Sequence, residues 1–191
     1  MIMQLSQEII ITSTLDIIDE LGSSRGIKFR EIARRVGCSH VSLYNYFNSF
    51  DDLLLCAARY AITELRSSNV FEFEDGDFSE QFVRFNMKLF DYVDAHKGRY
   101  LFIWTESPAG KLYSEKCMHP EEYMAADLLR HGFASSSVDA HYLAALLHGY
   151  FHGEMMKYVV QCDSGRSFEF KTRIAKNVAK ILELHKNIQA M

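Results

Sequence analysis

Over residues 39–46 the chain gathers side chains that hydrogen-bond but do not readily react. They are the hydroxyls of Ser39 and Ser42, the imidazole of His40, the amide of Asn45 and the phenols of Tyr44 and Tyr46. Such a set offers donors and acceptors to base edges and phosphate oxygens. Leu43 and Phe47 stand four residues apart, the spacing that buries one face of a short helix. The face left outward is then His40, Val41, Ser42, Tyr44, Asn45 and Tyr46. The preceding residues complete a helix-turn-helix pattern: Phe29, Ile32, Ala33 and Val36 at helical spacing, Ala33 small enough for two helices to approach, Gly37 for the turn, Cys38 as a small apolar plug and Ser39 as the next cap. Over 23–49 the cations Arg25, Lys28, Arg30, Arg34 and Arg35 face one acid, Glu31, a balance suited to phosphate. A hairpin kept only for packing is the alternative, but a merely solvated face has no need of Tyr44, Asn45 and Tyr46.

His148 and His152 form a second cluster, one helical turn apart, with His141, Glu154 and Cys162 nearby. Two imidazoles at this spacing can share a metal ion. The glutamate that directly follows the first histidine in hydrolytic zinc motifs is absent, and spacing fixes no third ligand. No metal is therefore assigned, and the pair reads as polar anchors of a pocket or an interface. No Ser-His-Asp order, phosphate-binding loop or dinucleotide glycine pattern occurs, so the chain is expected to be no enzyme and to need no cofactor.

The elements that must position these residues are helical. Prolines are confined to Pro108 and Pro120, and β-branched alternation is rare. The spacing predicts an all-α fold of about nine helices. The first runs over about 6–21, from the stripes Ile10, Thr14, Ile17, Leu21 and Ile11, Leu15, Ile18, and Gly22 closes it. A second begins near Lys28 and stops at Gly37, and a short third follows Ser39. Ser49 caps a fourth over 50–66, with Asp51 and Asp52 in its first turn. A loop over 68–76, with Glu72, Glu74 and Asp75, leads to Asp77-Phe78-Ser79-Glu80, which has capping-box spacing for a helix reaching towards His96 that Gly98 interrupts. A short segment over 100–105 and a turn at Pro108 and Gly110 precede helices over 120–130, 138–161 and 168–188.

With these residues placed, 10 to about 57 resemble the N-terminal domain of the TetR family of transcriptional regulators. The resemblance rests on Ile32-Ala33, Val36-Gly37-Cys38-Ser39, Leu43-Tyr44-Asn45-Tyr46-Phe47 and Asp52-Leu53-Leu54 in order and spacing, after a helix closed by Gly22. It implies a DNA-binding domain over 1–49, working in a homodimer on a near-palindromic double-stranded operator. It also implies a larger helical domain over 50–191 that binds a small-molecule effector and the partner subunit. Carried over by position, Ser39 would cap the recognition helix and touch phosphate, while His40, Val41 and Ser42 would face bases. Tyr44 and Tyr46 would meet the DNA backbone, Asn45 would reach a base or a phosphate, and Arg30 matches a position that does either in some members. Two positions depart from the pattern. Lys28 stands where the family has a capping Thr or Ser, and meets phosphate instead of capping. Phe50 stands where a phosphate-docking lysine is common, and this predicts weaker binding with a shallower salt dependence.

Beyond residue 57 the resemblance fades and the chemistry of the side chains has to speak. Aromatic and thioether residues are dense there, Tyr113 and Met118 among them. Phe85, Phe102, Trp104, Tyr123, His148, Phe151, His152 and Met155 are candidates to line a pocket for a mostly apolar or aromatic molecule. Ala145, Gly149 and Gly153 recur every four residues, and glycine inside a helix costs about 1 kcal/mol unless something needs the close approach. With Ile174, Val178, Ile181 and Ile188 on the last helix, they are candidates for a four-helix interface between two subunits.

Composition sets the outer bounds. The 191 residues are 48% hydrophobic and 24% charged, enough to bury a core without staples. The formal charge of −4 argues against indiscriminate coating of nucleic acid. Cys38, Cys56, Cys117 and Cys162 are scattered and are expected to be reduced. No apolar run reaches the length of a membrane span, and Met1-Ile2-Met3-Gln4-Leu5-Ser6 lacks the charged start of a signal peptide. A cytoplasmic regulator, with DNA, an effector and its own copy as partners and no membrane, is the expectation. Its alternative is a helical ligand-binding or adaptor protein whose DNA domain is vestigial.

Overall fold

The computed structural model describes residues 5–67, 77–106, 112, 120–161 and 166–189, without the side chains of Arg66, Pro120, Tyr123 and Gln189. Among the described residues there are eight α-helices, one 3-10 helix and no strand. They are α1 (Gln7–Leu21), α2 (Phe29–Arg35), the 3-10 helix (His40–Asn45), α3 (Phe50–Ser67), α4 (Phe78–Ala95), α5 (Lys97–Thr105), α6 (Pro120–Arg130), α7 (Ser137–Gln161) and α8 (Ser167–Gln189). The all-α expectation holds. The loop over 68–76, the turn at Pro108 and Gly110, Tyr113, Cys117, Met118 and Cys162 lie outside the described residues.

The chain forms two compact units, Met1–Ser67 with His96–Glu115, and Ser68–Ala95 with Lys116–Met191. The first therefore reaches past residue 49, taking in all of α3 and, more unexpectedly, α5. Local signals set its early elements. Ser6 caps α1 by accepting from the Ile9 N–H at 3.3 Å, Ile10, Leu15 and Ile18 are fully buried, and Gly22 ends the helix in the left-handed region at φ +70. Gly37, at φ +73, turns the chain after α2, where the Cys38 N–H donates back to the Ala33 carbonyl at 2.9 Å. Cys38 itself is only half-buried, so it plugs that corner partially.

α5 is bolted to this unit by charge and by close approach. The helix break falls at His96, one residue after α4, and not at Gly98. Gly98 lies inside α5 because the α1 backbone occupies the space of a side chain: a Cβ there would sit 2.6 Å from the Asp19 Cα and against the Ile18 carbonyl. The next residue, Arg99, has a side chain only 7% exposed. Its guanidinium lies 2.7 Å from Asp16, from Asp19 and from Glu64, and its backbone N–H donates to Asp19 at 2.8 Å. One cation thus ties two carboxylates of α1 and one of α3, and His96 Nδ1 adds a contact to Asp19 at 2.9 Å. Just past the other end of α5, Glu106 accepts from the Ser23 hydroxyl at 2.6 Å, the Ser24 N–H at 2.8 Å and the Ser24 hydroxyl. Burial alone would raise the Glu106 carboxyl, but these hydrogen bonds outweigh it and hold it below the usual carboxylate range.

The second unit packs α6 on α7 and sets α8 against α4 and α7. Asp77 caps α4 by accepting from the Glu80 N–H at 3.2 Å. Phe82, Phe90, Met155 and Tyr158 lie in its core, and the buried Glu154 is paired with Lys157 at 2.7 Å and Arg173 at 2.6 Å.

Gly98→Ala separates close approach from helix propensity. In an unobstructed helix this change adds stability of roughly 1 kcal/mol. Here the added methyl meets backbone, and a loss of about 1–3 kcal/mol is expected. Urea unfolding measures it, and an unchanged or raised midpoint would mean that α5 does not lie on α1.

Candidate nucleic-acid interface

The recognition segment is built from the inside outward. Leu43 and Phe47 are buried at 0% and 2% exposure and fasten the 3-10 helix to the unit. Each buried side chain of this size contributes about 1.5–3 kcal/mol, so the outward face needs no further anchor. Ser39 caps the segment as its position implied, accepting from the Ser42 N–H at 3.1 Å, with the two hydroxyls 2.8 Å apart. The six residues form a 3-10 helix and not a turn of α-helix. His40 and Asn45 are exposed, Val41 is 62% and Tyr44 56% exposed, and Ser42 is half-buried.

Tyr46 differs from the rest. Its hydroxyl donates to the Leu5 carbonyl at 3.0 Å, and its own carbonyl accepts from the Gln7 side chain at 3.0 Å. The phenol expected to meet the DNA backbone is engaged with the N-terminal segment in this structure, because the ring is half-buried beside the start of α1. The next helix start follows the expected chemistry: the Asp52 N–H donates to Ser49 Oγ at 3.0 Å, and Asp52 accepts from the Asn48 N–H at 2.9 Å.

The cations divide in the same way. Lys28, Arg30 and Arg34 are exposed, and Lys28 makes no side-chain cap on α2. Arg35 is held by Glu20 of α1 in a two-pronged pair at 2.7 Å, so its charge is already matched. The free energy of this exposed pair is small, but its geometry points the guanidinium at α1.

The residues singled out for a ligand pocket do not gather in one unit. Phe102 and Trp104 belong to the first, where Phe102 is fully buried on α5 and Trp104 lies 6.3 Å from Tyr100 between ring centres. Phe102 is thus core of the unit formed by α1, α3 and α5. Phe85, His148, Phe151, His152 and Met155 belong to the second unit, where Phe151 and Met155 are also buried and Phe85 is half-buried. The side chain of Tyr123 lies outside the described residues. His148 and His152 are half-buried on α7 with ring centres 6.0 Å apart, and Glu121 of α6 approaches His148 Nδ1 at 3.9 Å. Among the described residues no group of three or more His, Cys, Asp or Glu is placed to hold a metal ion.

The interface candidates also divide. Ala145 and Gly149 are exposed and Gly153 is half-exposed, and a Cβ at either glycine would meet nothing within 4 Å. Nothing inside the unit therefore requires those glycines. Ile174 and Val178 are fully buried, which corrects their assignment to an interface: with Phe170 and Leu182 they form the stripe by which α8 packs on its own unit. Ile181 is half-buried and Ile188 exposed. Sequence reasoning missed the exposed Val138, Tyr142, Leu146 and Val160, which run along α7 beside the glycines. Their helical spacing was the available signal.

No protein-family model matches the sequence, and no curated protein sequence matches it. Solved structures do. A transcriptional regulator from Rhodococcus sp. Rha1 superposes with a TM-score of 0.77 at 18% identity, over 94% of this chain and 97% of that one. A variant of TetR from Acinetobacter baumannii AYE, solved in complex with minocycline, gives 0.69 at 15% identity, over 97% and 98%. BioQ, solved with its double-stranded DNA operator, gives 0.59 at 18% identity, over 93% and 99%. The class defined by the fold is thus an all-helical chain with a helix-turn-helix domain and a second helical region. More particularly, the fold is that of the TetR family of transcriptional regulators. Among the described residues no helix is long and apolar enough to cross a membrane.

Burial holds the imidazoles of His148 and His152 below the ordinary value of 6.5; Glu121 partly offsets this for His148, and His148 adds to it for His152. The unfolded chain therefore takes up these protons first. Stability from the neutral rings is complete above pH 6.5 and is lost as pH falls through the folded values. Calorimetry between about pH 7 and 5 should show the melting temperature falling, and His148→Gln with His152→Gln should flatten the slope. A double variant with the original slope would locate the titration elsewhere.

Proposed function

We propose that this protein is a ligand-responsive, DNA-binding transcriptional regulator, a repressor that a small-molecule inducer releases from its operator. The observation that carries this reading is the recognition segment, which buries Leu43 and Phe47 and leaves His40, Val41, Tyr44 and Asn45 in solvent. In a protein without a DNA partner, an apolar valine and a tyrosine on that face gain nothing from exposure. Ser39, Ser42, Lys28 and Arg30 supply hydroxyls and charge for phosphate, and His40, Val41, Ser42 and Asn45 read base edges. Tyr44 meets the DNA backbone. Tyr46 joins it only on exchanging its bond to Leu5 for one to phosphate. The boundary that matters for function is the one between a DNA-reading part, 1–49, and the remainder, 50–191, which takes the effector and the partner subunit.

A second copy of the chain covers the open face of α7. From Val138 through Tyr142, Ala145, Leu146, Gly149 and Gly153 to Val160 this face is apolar or bare, and the two glycines permit a partner backbone to come close. Ile181 and Ile188 of α8 extend it. Two subunits present two recognition segments to half-sites about 34–36 Å apart, or a multiple of that. A ligand favouring a different spacing drives release, and by linkage DNA weakens its binding in turn. α4, of the second unit, is followed after one residue, His96, by α5 of the first. Phe85, His148, Phe151, His152 and Met155 mark the effector region, with the imidazoles as neutral polar anchors. The regulator works in the cytoplasm and performs no catalysis.

Two measurements test the reading. In a gel shift with a duplex selected from a random-sequence library, Tyr44→Ala should weaken binding about five- to tenfold, the value of one well-placed hydrogen bond. Failure to enrich any duplex would leave only the adaptor reading. In analytical ultracentrifugation the protein should sediment as a dimer and Leu146→Glu as a folded monomer. A dimer that survives Leu146→Glu would remove α7 from the interface.

A further inference from the structure

Two helix starts and the 3-10 helix of the first unit meet through aromatic rings. Phe29 opens α2, Phe50 opens α3, and Tyr44 lies in the 3-10 helix. The ring of Phe29 is met edge-on by Tyr44, at 5.0 Å between centres and 87° between planes. Phe50 meets it likewise at 5.5 Å and 85°. Both contacts have the perpendicular geometry that ring quadrupoles favour, and each adds about a two- to tenfold factor beyond burial. Exposure differs among the three rings: the central Phe29 is buried, Phe50 half-buried and Tyr44 mostly in solvent.

That difference has a physical consequence for Tyr44. An exposed side chain on a short helix ordinarily samples its rotamers within nanoseconds and loses that freedom on binding. Tyr44 is restrained at its ring while its remaining surface stays open. Phe29 supplies the restraint, and Phe50 in turn packs edge-on against Phe29.

Resting on the DNA-binding reading above, we infer that Phe29 and Phe50 are positioning residues that preorganise Tyr44 for its phosphate contact. Position 50 thereby contributes to DNA affinity through ring packing, where a lysine contributes charge. The two contributions leave different marks. A lysine contact releases a counterion and steepens the dependence of affinity on salt, whereas a positioned neutral phenol strengthens binding equally at every salt concentration.

The experiment measures binding of full-length protein to the library-selected duplex across a salt series, with melting temperature recorded for each variant. Phe50→Leu should weaken binding about three- to tenfold with an unchanged salt slope. Phe50→Tyr keeps the ring and should restore binding. Phe50→Lys should steepen the slope by about one unit. In the Tyr44→Ala background, Phe50→Leu should have no further effect, which a merely structural role of Phe50 would not produce. If Phe50→Leu melts near the assay temperature, Phe50→Met serves as the milder removal of the ring. Equal weakening in both backgrounds, or none in either, overturns the positioning role while leaving DNA binding intact. Failure of the unaltered protein to bind any duplex overturns both.

Discussion

The guanidinium of Arg99 is the constraint on which the first unit depends. Its neighbours Asp16, Asp19 and Glu64 place three carboxylates around one point, and only a cation there makes their proximity tolerable. The planar fork reaches all three at once, which a lysine ammonium on its flexible stem does less well. Gly98, one residue earlier, lets the backbones close to the distance at which this fork works. Charge and absence of a side chain therefore act together, and neither explains α5 alone. Because the carboxylates remain partly in water, the network contributes more to geometry than to net stability.

A rigid α1, α3 and α5 frame gives the recognition segment something firm to lean on. Leu43 and Phe47 are buried in the same unit, where the 3-10 helix packs on α2, Glu106 fixes the loop at Ser23 and Ser24 that leads into α2, and Glu20 holds Arg35. The outward face needs few contacts of its own and can be devoted to recognition. The overall acidity of the chain is compatible with this, since Asp16, Asp19 and Glu20 of α1 are turned towards Arg99 and Arg35, and Lys28, Arg30 and Arg34 remain in solvent.

What the sequence made legible was local. Ser39, Ser49, Gly22, Gly37 and the pair Leu43 and Phe47 act through spacing of four residues or fewer, and the structure uses each as spacing suggests. What stayed hidden depended on partners distant in the chain. Arg99 meets Asp16 across 83 positions, and Gly98 read as a helix interruption because its neighbour in space, Asp19, is nowhere near it in sequence. The same limit misled the apolar stripe on α8. Periodicity shows that a face is buried without saying by what, so Ile174 and Val178 fitted a partner subunit as well as their own core. The bond made by Tyr46 stayed hidden for a related reason, because hydroxyl chemistry does not reveal that a main-chain oxygen forty-one residues back will accept it.

That last bond has a practical side. Leu5 and Gln7 both grip Tyr46, so the start of α1 is held immediately beside the exposed face of the 3-10 helix. A change at residue 5 or 7 therefore reaches the candidate interface through Tyr46 without lying on it.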